Sequence, residues 1–144
     1  MTIRFQLLSP TALPPQKMTE HSAGWDLSAD LQEPEILEPG DRAAIPTGIA
    51  VEIPPCWEGQ IRPRSGLALH SGLGILNSPG TIDADYRGEI KVILFNASAE
   101  AVTIQPSMRI AQLVVCPVAE VTFEECAALE ESNRSTGGFG HTGV

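Results

Sequence analysis

The chain has no long hydrophobic run, since no stretch approaches the ~20 apolar residues that a membrane-spanning helix needs. Its first residues, Met1 to Phe5, also lack the apolar core of a secretory signal peptide. We therefore expect a soluble cytoplasmic protein. A length of 144 residues fits one domain with a hydrophobic core of its own.

Cysteine and histidine are scarce. The 3 cysteines show no CxxC spacing, and they are most simply free thiols in a reducing compartment. The 3 histidines are scattered and form no HExxH motif. These absences argue against a disulfide framework and against a zinc site.

Lysine is nearly absent, because Lys17 and Lys91 are the only lysines among the 9 cationic residues. The net charge of −9 argues against binding a nucleic-acid backbone, which needs a basic face. A small anionic ligand held by a local cluster remains possible, since the planar guanidinium group of arginine suits bidentate phosphate contacts. Ion pairs between these arginines and surface carboxylates are the open alternative.

Glycine and proline are plentiful, with 13 and 12 residues. They interrupt the chain about every 8–12 residues, which is typical of an all-β sandwich or barrel. One short helix is predicted at Ser65–His70, with Ser65 as its cap, and Cys126–Glu131 is a weaker candidate. The predicted strands are Ile3–Leu8, Gly24–Ala29, Arg42–Ile45, Gly48–Ile53, Trp57–Pro63, Gly74–Leu76, Ile90–Phe95, Val102–Ile104, Arg109–Val115 and Val118–Glu124.

The run from Gly80 to Glu89 concentrates carboxylates, a tyrosine and an arginine between two glycines. Glycines in such places mark tight turns or close backbone approach. An apolar strand follows at once, so the run is predicted to lie at the tip of a buried hairpin. Charge is costly there, and the run by itself suggests hydrolysis.

Five segments of the chain resemble, in order, the five motifs of the trimeric dUTP diphosphatases (dUTPases). They are Ala23–Leu27, Pro63–Ala68, Gly80–Glu89, Arg109–Gln112 and Arg134–Gly143. A single motif would mean little, but five in order along nearly the whole chain are specific. In the fifth motif Ser135 stands where the family commonly has glycine, and a serine can still donate to phosphate.

The resemblance implies an all-β, distorted jelly-roll-like barrel or sandwich over residues 1–131, with one short helix. Residues 132–144 would form a flexible glycine-rich arm that closes over an active site. The resemblance also implies a homotrimer whose active sites are shared between subunits, with no nucleic-acid or membrane partner.

The implied reaction converts dUTP and water to dUMP and diphosphate, which keeps uracil out of DNA and supplies dUMP for thymidylate synthesis. Asp83 resembles the family's general base, which activates the attacking water. Asp85 is expected to make a structural ion pair, for instance with an arginine. If the two roles were reversed, Asp85→Asn and not Asp83→Asn would abolish turnover.

The resemblance also implies the remaining site residues. The phosphate-binding residues would be Arg64, Ser65, Gly66, Arg109 and Gln112. The nucleoside pocket would contain Asn77, Thr81, Ile82, Tyr86 and Lys91, with the Tyr86 ring occupying the space of a 2′-hydroxyl. The arm would supply Arg134 for the phosphates and Phe139 to stack on uracil. The cofactor would be Mg²⁺, held mainly by substrate and water, with Asp26 reaching it through water.

Structural alternatives stay open for three of these residues. Asp26 could be a turn or strand-end residue, Arg109 a buried ion-pair partner, and Tyr86 a core aromatic. Two functional alternatives also stay open. A dCTP deaminase shares the fold, although such chains are usually longer and their catalytic glutamate has no match here. A dUTPase-like binding module would be expected to carry degraded motifs, whereas all five are intact.

Overall fold

The computed structural model describes residues 1–132 and 135–137. In this part of the chain there are eleven β-strands and one α-helix. In chain order they are β1 (Arg4–Leu7), β2 (Trp25–Ser28), β3 (Glu35–Leu37), β4 (Arg42–Pro46), β5 (Ile49–Glu52), β6 (Trp57–Pro63), α1 (Ser65–Ser71), β7 (Leu73–Ile75), β8 (Gly80–Ile82), β9 (Lys91–Asn96), β10 (Val102–Ile104) and β11 (Arg109–Pro117).

The strands form antiparallel sheets that surround one hydrophobic core. The largest sheet has the order β2-β11-β6-β8, a second has the order β4-β9-β7, and β1-β5 and β3-β10 are two-stranded. None of these sheets closes on itself within residues 1–132. The prediction of an all-β fold with one short helix is confirmed, and the sheets are sandwich-like rather than a closed barrel.

Alternation along the strands builds the core. In β6, Gly59 and Ile61 are buried between more exposed polar neighbours, and in β9 every second residue from Val92 is buried. Side chains from both large sheets join one buried cluster, which includes Leu94 and Leu113. Burying such a side chain stabilises the fold by about 1.5–3 kcal/mol.

Two strands escape sequence prediction and one predicted strand is wrong. β3 and β8, with three residues each, are not among the predicted strands, although β10 has the same length and is. Residues 118–124 are all exposed and form no strand. Pro117 ends β11, and beyond the bond from the Val118 N–H to the Cys56 carbonyl, residues 119–131 share no backbone hydrogen bond with the described chain.

The prediction that the run from Gly80 to Glu89 lies at the tip of a hairpin is also wrong. β8 pairs with β6, whereas β9 lies between β4 and β7. The run that follows β8 therefore crosses from one large sheet to the other. Its polar residues therefore lie in a connection between two sheets and not at the tip of a hairpin.

The helix prediction is confirmed in position, but the predicted cap is wrong. Ser65 is the first helical residue, and Arg64 occupies the N-cap with extended backbone and no side-chain capping bond. The helix ends at Gly72, whose φ of 65° is left-handed, a conformation that glycine adopts readily. Cys126–Glu131 is not helical.

Two other expectations concern the chain as a whole. The three cysteines are free, as expected. Among the described residues, no helix has the length and apolar character needed to cross a membrane.

Candidate active site

A buried carboxylate organises the first group of predicted site residues. Asp26 on β2 is 3% exposed. Its Oδ2 atom accepts a hydrogen bond from Arg109 Nη1 at 3.0 Å and lies 3.3 Å from Arg64 Nε. Its Oδ1 atom accepts a hydrogen bond from Gln112 Nε2 at 3.3 Å. The structure thus gathers three predicted phosphate-binding side chains around Asp26.

Strand pairing explains this arrangement. β11 is hydrogen-bonded to β2 on one side and to β6 on the other. In this register Gln112 lies opposite Asp26 of β2 and opposite Arg62 of β6. Side chains three residues apart normally point to opposite faces of a strand. A register shift between Arg109 and Ala111 adds the residue that turns Arg109 to the side of Gln112.

The cluster around Asp26 carries more positive than negative charge, since two guanidinium groups face one carboxylate. The Arg64 and Arg109 side chains are 24% and 39% exposed, against 2% for Asp26. Arg64 Nε is close to Asp26 but is not aligned for a hydrogen bond, while its Nη1 donates to the Arg109 carbonyl at 3.1 Å. Guanidinium groups with unused N–H donors at the surface suit a phosphate.

The first turn of α1 lies next to Arg64 in the chain. Ser65 and Gly66 are exposed, and this turn carries no acidic residue. The first N–H groups of a helix have no acceptor inside the helix. Ser65 and Gly66 can therefore offer backbone donors to an anion beside Arg64.

A cavity of about 560 Å³ contains the second group of predicted residues. Its lining includes Thr81, Ile82, Asp83, Tyr86 and Lys91, together with Ala44, Glu89 and Ile93. The predicted base and four predicted nucleoside-binding residues thus surround one space. Asn77 is exposed in the connection between β7 and β8, with its amide nitrogen next to Gly80, and is not among these lining residues.

Three lining residues were missed by sequence reasoning. Ala44 and Ile93 are paired across β4 and β9, and nothing in the sequence distinguishes either from its strand neighbours. Glu89 closes the run that begins at Gly80, so its position in that motif was the available signal.

Tyr86 is held at the wall of this cavity and is not a core aromatic. It is 43% exposed, and its hydroxyl donates to the Glu89 carbonyl at 2.9 Å. Its N–H donates to the Asp83 carbonyl at 3.1 Å. The ring is therefore fixed in place with one side available to a ligand.

Asp83 and Asp85 are both exposed. Asp83 lines the cavity, and Asp85 takes part in no ion pair with any described residue. Arg87 instead donates to the carbonyls of Ala84 and Tyr86, at 2.7 and 2.9 Å. These bonds close the loop that presents Asp83.

The two groups lie at opposite edges of one sheet. Asp26 is on β2, whereas Asp83 directly follows β8, and β11 and β6 lie between these strands. Three steps between strands span roughly 14 Å. Asp26 is in register with Arg62, and Ile82 is in register with Gly59, three residues away. Asp83 lies one residue beyond Ile82, so the offset along the strands is four residues, or roughly 13 Å. The Cα atoms of Asp26 and Asp83 in one protomer are therefore about 19 Å apart.

The residues around Asp26 suit Mg²⁺ held through water. The described residues contain no group of three or more His, Cys, Asp or Glu side chains that could hold a metal ion. The two guanidinium groups oppose direct coordination by Asp26, but its Oδ1 atom accepts one long hydrogen bond and keeps a lone pair for water. Since Mg²⁺ retains several waters, Asp26 fits the predicted role.

Part of the predicted arm can be located. Arg134 and Phe139 lie outside the described residues. Ser135 has a φ of 44°, in the left-handed region that glycine favours, and its N–H donates to Ser132. The family's usual glycine at this position therefore has a conformational reason.

Comparisons with known proteins agree with these features. The profile of the dUTPase family matches residues 11–143. A deoxyuridine 5′-triphosphate nucleotidohydrolase from Thermoanaerobacter sp. (strain X514) is 54% identical over 130 residues, covering 90% of this chain and 88% of that protein. The protein of the same name from Chlamydia pneumoniae is 54% identical over 145 residues, covering 100% of this chain and 99% of the relative.

Solved structures show the same fold. The dUTPase of Staphylococcus bacteriophage 80alpha with dUPNHPP superposes with a TM-score of 0.89, at 29% identity, with 99% of both chains covered. A mutant dUTPase from phage phi11 of S. aureus, whose structure reveals how a structural Mg(II) ion is coordinated, gives 0.82 at 25% identity, covering 91% of this chain and 100% of that one.

Proposed function

The chain belongs to the dUTPase family, and we propose that it hydrolyses dUTP by in-line attack of a water molecule that Asp83 activates. The enzyme class, dUTP diphosphatase, follows from family membership. The proposal adds the mechanism, the residues and the assembly. It makes the protein a cytoplasmic enzyme, a location with which its free cysteines are compatible.

The separation of Asp26 from Asp83 carries the proposal for the assembly. A base about 19 Å from the phosphate-binding cluster of its own protomer cannot act on a phosphate held there. A second copy of the chain can bring its Asp83 to that cluster. We therefore propose that each site combines the cavity of one protomer with the Asp26 cluster of another, in the homotrimer that the resemblance to the trimeric dUTPases implies.

Exposed apolar side chains support an assembly of copies. Val121 and Phe123 are 70% and 99% exposed, in the segment whose alternation predicts a strand. Phe5 on β1 is 48% exposed, and β1 pairs only with β5 on one side. An unpaired edge and an unpaired apolar segment are the features that strand addition between copies uses.

In the proposed reaction, Asp83 takes a proton from water as the water oxygen attacks the α-phosphorus. The bond between that phosphorus and the bridging oxygen breaks, and diphosphate leaves with the electron pair. An exposed carboxylate at the cavity wall can reach water and hold it in position. A positioned base of this kind contributes about 10²- to 10⁴-fold to the rate.

The Asp26 cluster would bind the triphosphate. Arg64 and Arg109 would contact phosphate oxygens with the N–H groups that Asp26 leaves unused, and Gln112 and the first turn of α1 at Ser65 and Gly66 would add neutral donors. Mg²⁺, when bound, supplies charge neutralisation along the phosphates. Asp26 and Gln112 would hold water molecules of its shell.

The cavity would bind the nucleoside. Thr81, Ile82 and Lys91 would present backbone groups to uracil, and the Asn77 amide would complete the match to its polar edge. Cytosine would leave a polar group unpaired in such a site, which lowers affinity strongly. The Tyr86 ring would fill the space that a 2′-hydroxyl needs, so UTP would be rejected.

The arm is proposed to close the site. Phe139 would stack on uracil and Arg134 would bind the phosphates, which would exclude water and align the reacting groups. A chain truncated before Ser132 should stay a folded trimer and lose most of its activity. Full turnover by this truncated protein would contradict the role of the arm.

A matched pair of variants tests the base. Asp83→Asn should lower kcat for diphosphate release from dUTP by at least about 100-fold, while Asp85→Asn, two residues away, should stay within about three-fold. The reverse outcome would exchange the two roles. Ammonia release from dCTP, measured in the same preparation, should be absent and would otherwise indicate a deaminase.

Mixed trimers test the sharing of sites. Asp83→Asn inactivates the cavity half and Arg64→Ala weakens the phosphate half, so each variant alone should be nearly inactive. Co-expressed at equal amounts, they should recover about a quarter of the wild-type activity, because random assembly pairs two intact halves in one site of four. A site made within one chain would recover none.

A further inference from the structure

Glu89 joins the cavity wall to the turn between β4 and β5. Its Oε1 atom accepts the Gly48 N–H at 2.9 Å, and its Oε2 atom lies 3.7 Å from Lys91 Nζ. Gly48 has a φ of 63°, and a Cβ atom there would come within 2.5 Å of Ala12 and Asp30. The donor is therefore fixed by the packing around it, and the Glu89 carboxylate is held to a rigid point.

The same residue holds Tyr86. The Glu89 main-chain carbonyl accepts the Tyr86 hydroxyl at 2.9 Å. Gly88 lets the ring lie this close, since a Cβ atom there would come 2.6 Å from Tyr86 Cζ. The Tyr86 N–H in turn donates a hydrogen bond to the Asp83 carbonyl. A line of contacts thus runs from the fixed turn through Glu89 to the ring and the proposed base.

A second anchor lies one residue further on. The Ile90 N–H donates to the Ile49 carbonyl at 2.8 Å, and the Ile90 carbonyl accepts the Thr47 hydroxyl at 2.7 Å. Thr47 is fully buried. The peptide group that contains the Glu89 carbonyl and the Ile90 N–H is thus held on its Ile90 side, and the bond from the Glu89 carboxylate to Gly48 holds the Glu89 Cα on the other side.

We propose that Glu89 is a positioning residue for nucleotide discrimination, because its bond to Gly48 holds the Cα side of the peptide group whose carbonyl orients the Tyr86 ring. This inference rests on the proposed role of Tyr86 at the sugar and extends it to the residue behind the ring. A ring that is free to move makes room for a 2′-hydroxyl. Loss of the restraint therefore affects rejection of UTP more than turnover of dUTP.

Two substitutions at one position separate the acceptor from the charge. Glu89→Ala removes both, whereas Glu89→Gln keeps an amide oxygen that can accept the Gly48 N–H. The ratio of kcat/KM for dUTP to that for UTP should fall about ten-fold in the alanine variant and stay within about three-fold in the glutamine variant. Both variants break the ion pair between Glu89 and Lys91, so a change in KM for dUTP that both variants share reports the loss of the Glu89 charge.

Glu35→Ala is the matched control, because Glu35 is a half-buried strand glutamate on β3, which pairs with β10, and it is not among the residues that line the cavity. Its dUTP-to-UTP ratio should equal that of the wild type. If Glu89→Ala fails to fold, Glu89→Met keeps the volume of the side chain without a strong acceptor and gives the same comparison.

A readout independent of turnover is available, because Tyr86 is the chain's single tyrosine. Carbon-13 labelling of tyrosine at Cζ alone should give one ring signal, shifted or broadened in Glu89→Ala and wild-type-like in Glu89→Gln. An unchanged ratio and ring signal in a folded Glu89→Ala protein would overturn the inference, as would an equal loss of discrimination in both variants. A wild-type enzyme that cleaves UTP as well as dUTP would instead refute the proposed role of Tyr86.

Discussion

Replacing the Asp26 carboxylate by an amide of the same shape separates its charge from its packing. In the wild type, Asp26 lies 3.0 Å from Arg109 and 3.3 Å from Arg64. Asp26→Asn keeps one oxygen for these contacts but leaves two guanidinium groups without a counter-charge. A hydrogen bond to a charged group contributes about 1.5–3 kcal/mol, roughly twice a neutral one.

The size of the effect follows from these contacts and from exposure. Both arginines are partly exposed, so solvent screens part of the loss. We expect the free energy of unfolding to fall by about 2 kcal/mol, which lowers Tm by about 4–8 °C for a domain of this size. Inorganic diphosphate should narrow the difference between variant and wild type, because it neutralises the same guanidinium groups.

The assay is thermal unfolding followed by circular dichroism, at one protein concentration because the Tm of an oligomer depends on it. Glu33→Gln, at an exposed position, is the control and should change Tm by about 1 °C or less. The kcat/KM for dUTP should fall at least about ten-fold in Asp26→Asn. A variant with wild-type Tm and wild-type kcat/KM would refute the reasoning.

Three further predictions concern the cluster, the loop and the cofactor. A Cβ atom at Gly24 would lie 3.0 Å from Gln112 Cβ, so Gly24→Ala should displace Gln112 and raise KM for dUTP about five-fold, with kcat nearly unchanged. Gly88→Ala should push the Tyr86 ring away and lower the dUTP-to-UTP ratio of kcat/KM at least about five-fold; an unchanged ratio would contradict the packing described. Chelation of Mg²⁺ with EDTA should lower diphosphate release at least about ten-fold, and added MgCl₂ should restore it.

Much of the fold could be predicted because regular alternation distinguishes the two faces of a strand. The bounds predicted for β6 and β10 match those observed, Trp57–Pro63 and Val102–Ile104. At Val118–Glu124 the same alternation gave a wrong prediction for the described chain, because a strand also needs an edge to pair with. Within the described residues of this protomer, no strand at the edge of a sheet pairs with Val118–Glu124.

The contacts within the site could not be predicted, since they depend on which strands become neighbours. Arg109 and Asp26 are 83 residues apart in sequence, and only the pairing of β11 with β2, with its register shift, brings them together. The bond between Glu89 and Gly48 likewise joins parts of the chain 41 residues apart. Motifs identify such residues as important without showing which partner each one has.

The placement of Asp26 on one outer strand of a sheet and of Asp83 directly after the other has a consequence for the activity of a single chain. If each site is built from two copies, as proposed, a newly made, solitary chain would be inactive however well it has folded. Turnover would then begin only on assembly, so the onset of nucleotide cleavage would report the formation of the oligomer, and one damaged copy would inactivate a site whose other half is intact.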